Sequence, residues 1–425
     1  MHLLSSPRTS LSLLSLLLLF GSNAIVTRAQ QSGIPGEDSL FTIATSEPLV
    51  SWGNLGGVTV DRLGFIYVAN FSDRVWRITP EGEVTTLTKS LYGASGNAVD
   101  SRGRLLQSNY YAHTVSRIER DGRTETLIAD GLSGPVGIAV DPEDNFYVTN
   151  CNANSIAYVT RDGEVSTYAE GSMFACPNSI VLRPDGNLYV ANFNNPNIVR
   201  IDSTGSTDVF ATAGTTGNAH LSFARGYFYV TKIIPNALVR IAADGEVEIV
   251  VGGGPPGNHA DGPASAAGMS RPNGITVSPS GQDLYINTLS GEWQSGKRSE
   301  ILLRRVKLLT LSEILSHAAE EGGVEGLEAA YEAYKSSDAG AREETSPEAT
   351  RLGYSFLSQI QLDLAVRLFE LNAESYPEDA AAQYNLGEAY RYSRQPEKAR
   401  SAYERVLALD PTHQAARSRL EAMDQ

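Results

Sequence analysis

Apolar and polar residues alternate with a period of two from about residue 40 to about residue 308, which is the pattern of half-buried β-strands. A clear instance is IVLRPDGNLYVAN at 180–192, where two alternating runs flank Pro-Asp-Gly. Because Asp-Gly allows the positive φ angles of a tight turn, this stretch predicts two antiparallel strands joined as a hairpin.

The same hairpin is present in six copies at intervals of roughly forty residues, so the chain is a repeat protein. The other copies are GVTVDRLGFIYVAN at 57, GNAVDSRGRLLQSN at 96, GIAVDPEDNFYVTN at 137, AHLSFARGYFYVTK at 219 and GITVSPSGQDLYINT at 274. A second hairpin follows the first, giving the four short strands of a propeller blade. The sixth copy lacks its fourth strand, and we expect LFTIA at 40–44 to supply it and close the ring.

These hairpins resemble the NHL-repeat propellers and their gluconolactonase-like (senescence-marker-protein) and virginiamycin-lyase-like relatives. The resemblance covers residues 37–308 and implies an all-β six-bladed propeller. Its specificity lies in the six-fold recurrence, since a single hairpin is weak evidence.

The composition changes near residue 309 to Ala-, Glu- and Leu-rich helix formers. Within this part, LGYSFLSQIQLDLAVRLFELNAESYP at 352–377 aligns with LGEAYRYSRQPEKARSAYERVLALDP at 386–411. The offset of about 34 residues resembles the tetratricopeptide repeat. We predict a helical connector and linker at 309–347 and a small all-α helical-repeat domain at 348–425 that docks a protein partner.

The N-terminus carries the apolar run LSLLSLLLLF behind Arg8, which is too short to span a bilayer but suits the core of a signal peptide. We expect residues 1–29 to be a signal peptide cleaved after Ala29, and the mature chain to be secreted or periplasmic without a membrane span. The net charge of −15 without a basic cluster argues against nucleic acids and anionic membranes as partners.

The two cysteines lie on the same predicted rim. Cys151 follows the second strand of blade three, and Cys176 precedes the first strand of blade four. In an oxidising compartment we expect them to form a disulfide, the alternative being two buried free thiols.

The predicted binding site is the mouth of the propeller, where each first strand begins and each second strand ends. The residues that open the first strands are Gly56, Ser95, Val136, Asn178, Asn218 and Asn273, and those that close the second strands are Asn70, Asn109, Asn150, Asn192, Lys232 and Thr288. From these sets we take as candidate ligand-binding residues Ser95, Asn150, Asn178, Asn192, Asn218, Lys232 and Asn273. The alternatives are that the closing asparagines cap turns and that Lys232 is solvated. The rim aromatics Phe71, Tyr110, Tyr111, Phe174 and Phe193 either form an apolar collar or pack over the blade ends.

The resemblance to gluconolactonases implies a divalent cation in the channel, held by opener residues together with a glutamate. Asn178 and Asn273 match the opener pattern, which makes Ca²⁺ the candidate cofactor, but the stretch NLGGVTV has no glutamate. His220 is the candidate general base, and its alternative role is that of a core residue. The sequence thus favours a propeller that binds a small polar ligand, peptide or glycan. A metal-assisted lactonase and a purely structural propeller remain the alternatives.

Overall fold

The alternating runs fold into antiparallel sheets of short strands, and the C-terminal part folds into helices. The computed structural model describes residues 39–42, 49–51, 54–252, 259–264, 266–290, 296–336 and 345–424. The predicted signal peptide at 1–29 lies outside the described residues. Among those that are described, no helix is both long and apolar enough to cross a membrane.

Blades one to five each contain four consecutive strands. Blade one contains β3 Val58–Val60, β4 Ile66–Ala69, β5 Val75–Ile78 and β6 Val84–Thr88. Blade two contains β7 Ala94–Val99, β8 Leu105–Asn109, β9 Thr114–Ile118 and β10 Thr124–Ile128. Blade three contains β11 Pro135–Val140, β12 Phe146–Asn150, β13 Ser155–Val159 and β14 Val165–Glu170. Blade four contains β15 Pro177–Leu182, β16 Leu188–Asn192, β17 Asn197–Ile201 and β18 Thr207–Thr212. Blade five contains β19 Asn218–Ala224, β20 Tyr227–Lys232, β21 Ala237–Ile241 and β22 Val247–Gly252.

Blade six joins the two ends of the propeller. Its strands are β24 Ile275–Val277, β25 Asp283–Leu289, β26 Ser299–Lys307, β1 Ser39–Thr42, β2 Leu49–Ser51 and β23 Gly262–Pro263. Both β1 and β2 pair with β26, with Leu40 opposite Val306 and Leu49 opposite Ile301. The N-terminal strand therefore completes the sixth blade, as the sequence predicts, and the very short β2 is an addition to it.

The first strands of adjacent blades approach closely around the axis, β24 contacting β3 to close the ring. Glycine makes this approach possible at Gly137, where a Cβ atom would lie 2.8 Å from the Cα of Ser179 in the next blade. Farther out, apolar side chains of neighbouring sheets pack together, for example Leu106 and Val115 with Ile138 and Val148. Sequence alternation thus places one core cluster between each pair of blades.

The helices are α1 Leu311–Ser336, α2 Ser346–Ser358, α3 Leu362–Ser375, α4 Ala380–Tyr392, α5 Pro396–Leu409 and α6 Gln414–Met423, and α1 is kinked at Gly323. The glycine that recurs at the same place in both helical repeats is required by packing against an aromatic ring. A Cβ atom at Gly353 would lie 2.5 Å from the ring of Phe369, and one at Gly387 would lie 2.6 Å from the ring of Tyr403. The predicted helical-repeat domain is therefore present in α2 to α6, and α1 occupies most of the predicted connector.

The propeller contacts the helical domain through blade five. Tyr227 packs against the buried cluster that α1 forms with α2 and α3. Arg225 donates hydrogen bonds to the carbonyl oxygen of Leu309 at 2.7 Å and to the hydroxyl of Tyr334 at 3.3 Å.

Candidate functional site at the propeller mouth

A cavity of about 210 Å³ opens at the mouth of the propeller, and it is bounded by loops from several blades. Its lining residues are Asn54, Leu55, Phe71, Tyr110, Val136, Cys151, Cys176, Asn178, Phe193, Ile233, Arg271 and Asn273. Two of the candidate ligand residues, Asn178 and Asn273, therefore reach this cavity. Phe71, Tyr110 and Phe193 form part of its wall, whereas Phe174 is buried in the core between the blades.

The other predicted site residues do not line the cavity. They are Ser95, Asn150, Asn192, Asn218, His220 and Lys232. All six are buried.

Two of the closing asparagines, Asn150 and Asn192, hold the loop that leads into the first strand of their own blade. The amide of Asn192 accepts a hydrogen bond from the Ala175 N–H at 3.1 Å and donates one to the Met173 carbonyl at 2.9 Å. Asn150 accepts from the Ser133 N–H at 3.0 Å in the same way. These side chains thus satisfy backbone groups of the rim, which is the structural alternative for them.

Lys232 is neither solvated nor exposed to the cavity, since only 1% of its surface is accessible. Its ammonium donates hydrogen bonds to the Thr215 carbonyl at 2.7 Å and to Asn218 Oδ1 at 2.5 Å. Burial lowers the pKa of Lys232 to about 8. Lys232 and Asn218 therefore bind each other inside blade five and do not line the cavity, so the structure does not support their predicted contact with a ligand there.

In blade five the residue that opens the first strand is one position later than the sequence alignment predicts. Asn218 pairs with Lys232 as Pro177 pairs with Asn192, so Ala219 occupies the position of Asn178. The cause is that the hairpin from Asn218 to Lys232 in blade five is one residue shorter than the hairpin from Pro177 to Asn192 in blade four.

This shift places His220 where other blades have glycine or serine, for example Gly137 and Ser179. The backbone N–H of His220 donates to Thr231 Oγ1 at 3.0 Å, and burial lowers the pKa of the imidazole to about 4. His220 thus occupies the core position that was the alternative to a general base. Ser95 has a backbone role, because its carbonyl accepts from the Gly57 N–H at 2.8 Å.

Asn178 and Asn273 join neighbouring blades at the cavity floor. The Asn178 amide donates to the Ala219 carbonyl at 2.7 Å, and the Asn273 amide donates to the carbonyls of Leu55 and Gly56 at 2.6 and 3.0 Å. Each amide oxygen is an acceptor, so the oxygen atoms of these two side chains can accept hydrogen bonds from a ligand N–H.

The structure contains a disulfide between Cys151 and Cys176, which connects the rims of blades three and four as the sequence predicts. Both cysteines belong to the cavity wall. The bridge therefore fixes one side of the mouth.

The residue that enters the first strand has a positive φ angle in five consecutive blades. It is a glycine in blades two, three and five, whereas blades four and six have Cys176 at φ 51° and Arg271 at φ 48°. A non-glycine residue in this left-handed region costs roughly 1–2 kcal/mol. Strained residues of this kind cluster at functional sites, and both of these line the cavity.

Arg271 is the charged cavity residue that sequence reasoning missed. Among the described residues that line the cavity, it alone carries a charge. Its backbone N–H donates to Asn236 Oδ1 at 2.9 Å, and burial lowers the pKa of the guanidinium. The only sequence signal was its position directly before Pro-Asn-Gly at 272–274.

The donor set of the mouth does not fit the predicted Ca²⁺ site. Among the described residues that line the cavity there is no carboxylate, and one of them is the Arg271 cation, whereas Ca²⁺ is normally held by several oxygens including carboxylates. In the part of the chain that the structure describes, no group of three or more His, Cys, Asp or Glu residues could hold a metal. The lactonase alternative, which requires a cation, thus gains no support at Asn178 and Asn273.

Comparison with known proteins agrees with the fold. Residues 54–251 match the virginiamycin B lyase family. This match confirms the resemblance that the six hairpins predict. Residues 380–413 match the tetratricopeptide repeat, which confirms the helical-repeat prediction.

A curated relative of the helical part is the chloroplastic tetratricopeptide repeat domain-containing protein PYG7 of Arabidopsis thaliana. It is 35% identical over 72 residues, which are 17% of this chain. The chain spans only 24% of the length of that relative.

Solved structures share the propeller fold at low sequence identity. A gluconolactonase from Xanthomonas campestris is 17% identical with a TM-score of 0.50, covering 66% of this chain and 93% of its own. An auxiliary nutrient binding protein from Bacteroides ovatus is 14% identical with a TM-score of 0.51, covering 64% and 76%. A streptogramin B lyase is 17% identical with a TM-score of 0.48, covering 64% and 98%. At these identities the likeness shows the fold alone.

Proposed function

We propose that the propeller is a binding module whose mouth holds a small ligand with an apolar body and one carboxylate. The observation that carries this proposal is Arg271, a cation held in a strained backbone conformation on the wall of a mainly apolar cavity. A half-buried guanidinium such as that of Arg271 binds a carboxylate through short, charge-assisted hydrogen bonds.

The remainder of the cavity matches such a ligand. Leu55, Phe71, Phe193 and Ile233 provide an apolar wall, which favours an apolar group over a hydroxyl-rich sugar. The oxygen atoms of the lining amides can accept hydrogen bonds from a ligand N–H. The disulfide fixes one wall, which lowers the ordering cost of binding.

The helical tail supports a second part of the proposal, namely docking of a protein partner. Tetratricopeptide repeats present extended helical surfaces, and the match at 380–413 supports this role. We also propose that the protein is exported, secreted or periplasmic, after cleavage near Ala29. The apolar N-terminal run and the disulfide support export, because disulfides persist in oxidising compartments.

Titration of the protein with the twenty N-acetyl amino acids and their amides tests the ligand class. We expect the acids with apolar side chains to bind and the matching amides to bind at least tenfold more weakly, because only the acids pair with Arg271. Equal affinity for acids and amides would refute the carboxylate, and binding of neither would refute the site.

A further inference from the structure

The mouth cavity continues into a row of aromatic side chains on the rim of blades one and two. Phe71 and Tyr110 belong to the cavity wall, and their ring centroids are 5.5 Å apart. Tyr111 lies 5.6 Å from Phe71, and Tyr92 lies 5.3 Å from Tyr111. We call Phe71, Tyr110, Tyr111 and Tyr92 the aromatic row.

The outer end of this row is open to solvent. Tyr92 is 65% exposed and Tyr111 is 46% exposed, whereas the inner members are partly buried. The Tyr110 hydroxyl donates to Asn152 Oδ1 at 2.8 Å, which holds the inner end in place. Clustered exposed aromatics beside a cavity are typical of recognition surfaces, because rigid rings provide contact area at low entropic cost.

The cavity itself has room for only the end of a longer molecule. Its volume of about 210 Å³ is smaller than that of sites that enclose drug-sized ligands, which are roughly 300–1,000 Å³. The successive ring spacings of 5.6 and 5.3 Å from Phe71 through Tyr111 to Tyr92 allow the row a length of at most about 11 Å, which is that of about three residues of extended peptide.

We infer that the ligand is the C-terminal end of an extended peptide, an inference that rests on the proposed carboxylate site. The terminal carboxylate pairs with Arg271, the last side chain fills the apolar cavity, and the preceding residues lie along the aromatic row. Capture of a terminal carboxylate is a recurring mode of peptide recognition. The apolar part of the cavity wall and the exposed aromatic row favour a peptide with an apolar last side chain over a hydroxyl-rich oligosaccharide.

Two pools of probes distinguish binding of a peptide C-terminus from binding of a single carboxylate group. One is a pool of N-acetyl tripeptides randomised at all positions, and the other is the set of N-acetyl amino acids. We expect selected tripeptides to bind at least tenfold more tightly than the best single residue, and their C-terminal amides to lose that affinity.

Variants of the aromatic row test whether these side chains provide the additional affinity for tripeptides. We expect Tyr92→Ala and Tyr111→Ala each to weaken tripeptide binding by about five- to tenfold and to leave N-acetyl amino acid binding unchanged. The matched control is Tyr392→Ala, which removes a tyrosine that is 52% exposed on the helical domain and should change neither affinity. Tryptophan fluorescence during urea unfolding verifies that each variant is folded.

The outcomes separate the two claims. Tripeptides that bind no better than single residues, or that are insensitive to both tyrosine variants, would overturn the inference and leave the carboxylate site standing. Preference for an acidic trisaccharide such as trigalacturonate over every tripeptide would also overturn it. If neither tripeptides nor N-acetyl amino acids bind, the proposed function itself is wrong.

Discussion

Replacing Arg271 by glycine should separate binding from stability. Arg271 has a φ of 48° at the rim position where Gly134 and Gly217 are found in other blades. Relief of the left-handed conformation gains roughly 1–2 kcal/mol, and the greater freedom of glycine in the unfolded chain costs about 0.4–1 kcal/mol. Because the side-chain contacts of Arg271 are also lost, we expect the free energy of unfolding to stay within about 1 kcal/mol of wild type.

Ligand affinity should change far more than stability in this variant. A hydrogen bond to a charged group contributes roughly 1.5–3 kcal/mol, so the loss of Arg271 should weaken binding of an N-acetyl amino acid by about 10- to 100-fold. Calorimetric titration measures the affinity. Urea unfolding followed by tryptophan fluorescence measures propeller stability, since all three tryptophans lie within residues 37–308.

The matched control is Arg161→Gly, which removes an exposed arginine from a hairpin turn on the opposite face of the propeller. We expect this control to bind the same probes as wild type. Unchanged affinity in Arg271→Gly would refute the assignment of the guanidinium to the ligand. A loss of more than about 2 kcal/mol of stability would show that Arg271 has a structural role instead.

Three further perturbations test the fold that supports the site. Replacing Cys151 and Cys176 together by serine should lower the free energy of unfolding by about 3.5 kcal/mol in the chain-entropy model, given the sequence separation of 25, and identical urea midpoints would contradict this. Between pH 6.5 and pH 4 the unfolded chain protonates His220 while the folded chain does not, so the free energy of unfolding should fall by about 3 kcal/mol with acid. The variant His220→Gln should lose this part of the pH dependence, and identical curves of stability against pH for the variant and wild type would disprove the assignment. Gly387→Ala places a Cβ atom 2.6 Å from the Tyr403 ring and should destabilise the helical domain by about 1–3 kcal/mol, whereas in the control Gly322→Ala the new Cβ atom meets nothing within 4 Å. Equal melting temperatures of the two variants by circular dichroism would count against this packing.

The blades were predictable from the sequence because each of them repeats the same hairpin signal. The alternation of apolar and polar residues on both sides of Asp185-Gly186, and in the five equivalent hairpins, predicts pairs of antiparallel strands. The register of each pair follows because one face of the sheet must be buried. The sixth-blade closure by Ser39–Thr42 was predictable because an incomplete repeat leaves an unpaired strand edge. The offset between Gly353 and Gly387 predicted the helical pair in the same way, because both glycines face an aromatic ring.

The site was less predictable because it depends on single residues that break the repeat. In blade five the hairpin is shorter by one residue, so Asn218 pairs with Lys232 and Ala219 takes the position that Asn178 has in blade four. Arg271 replaces the rim glycine once, so no periodic signal accompanies it. Its exposure to the cavity follows from loops of several blades that meet only in the folded ring.

Photo-crosslinking with the diazirine analogue of N-acetyl-leucine tests the central claim most directly, because it reports where a small apolar carboxylate binds. Irradiation of the full chain with this probe, followed by peptide mass spectrometry, identifies the labelled residues. We predict adducts on the cavity wall at Phe71, Phe193 or Ile233, which excess unlabelled N-acetyl-leucine should suppress. Suppressible labelling confined to the opposite face of the propeller or to the helical domain would contradict the proposed binding site.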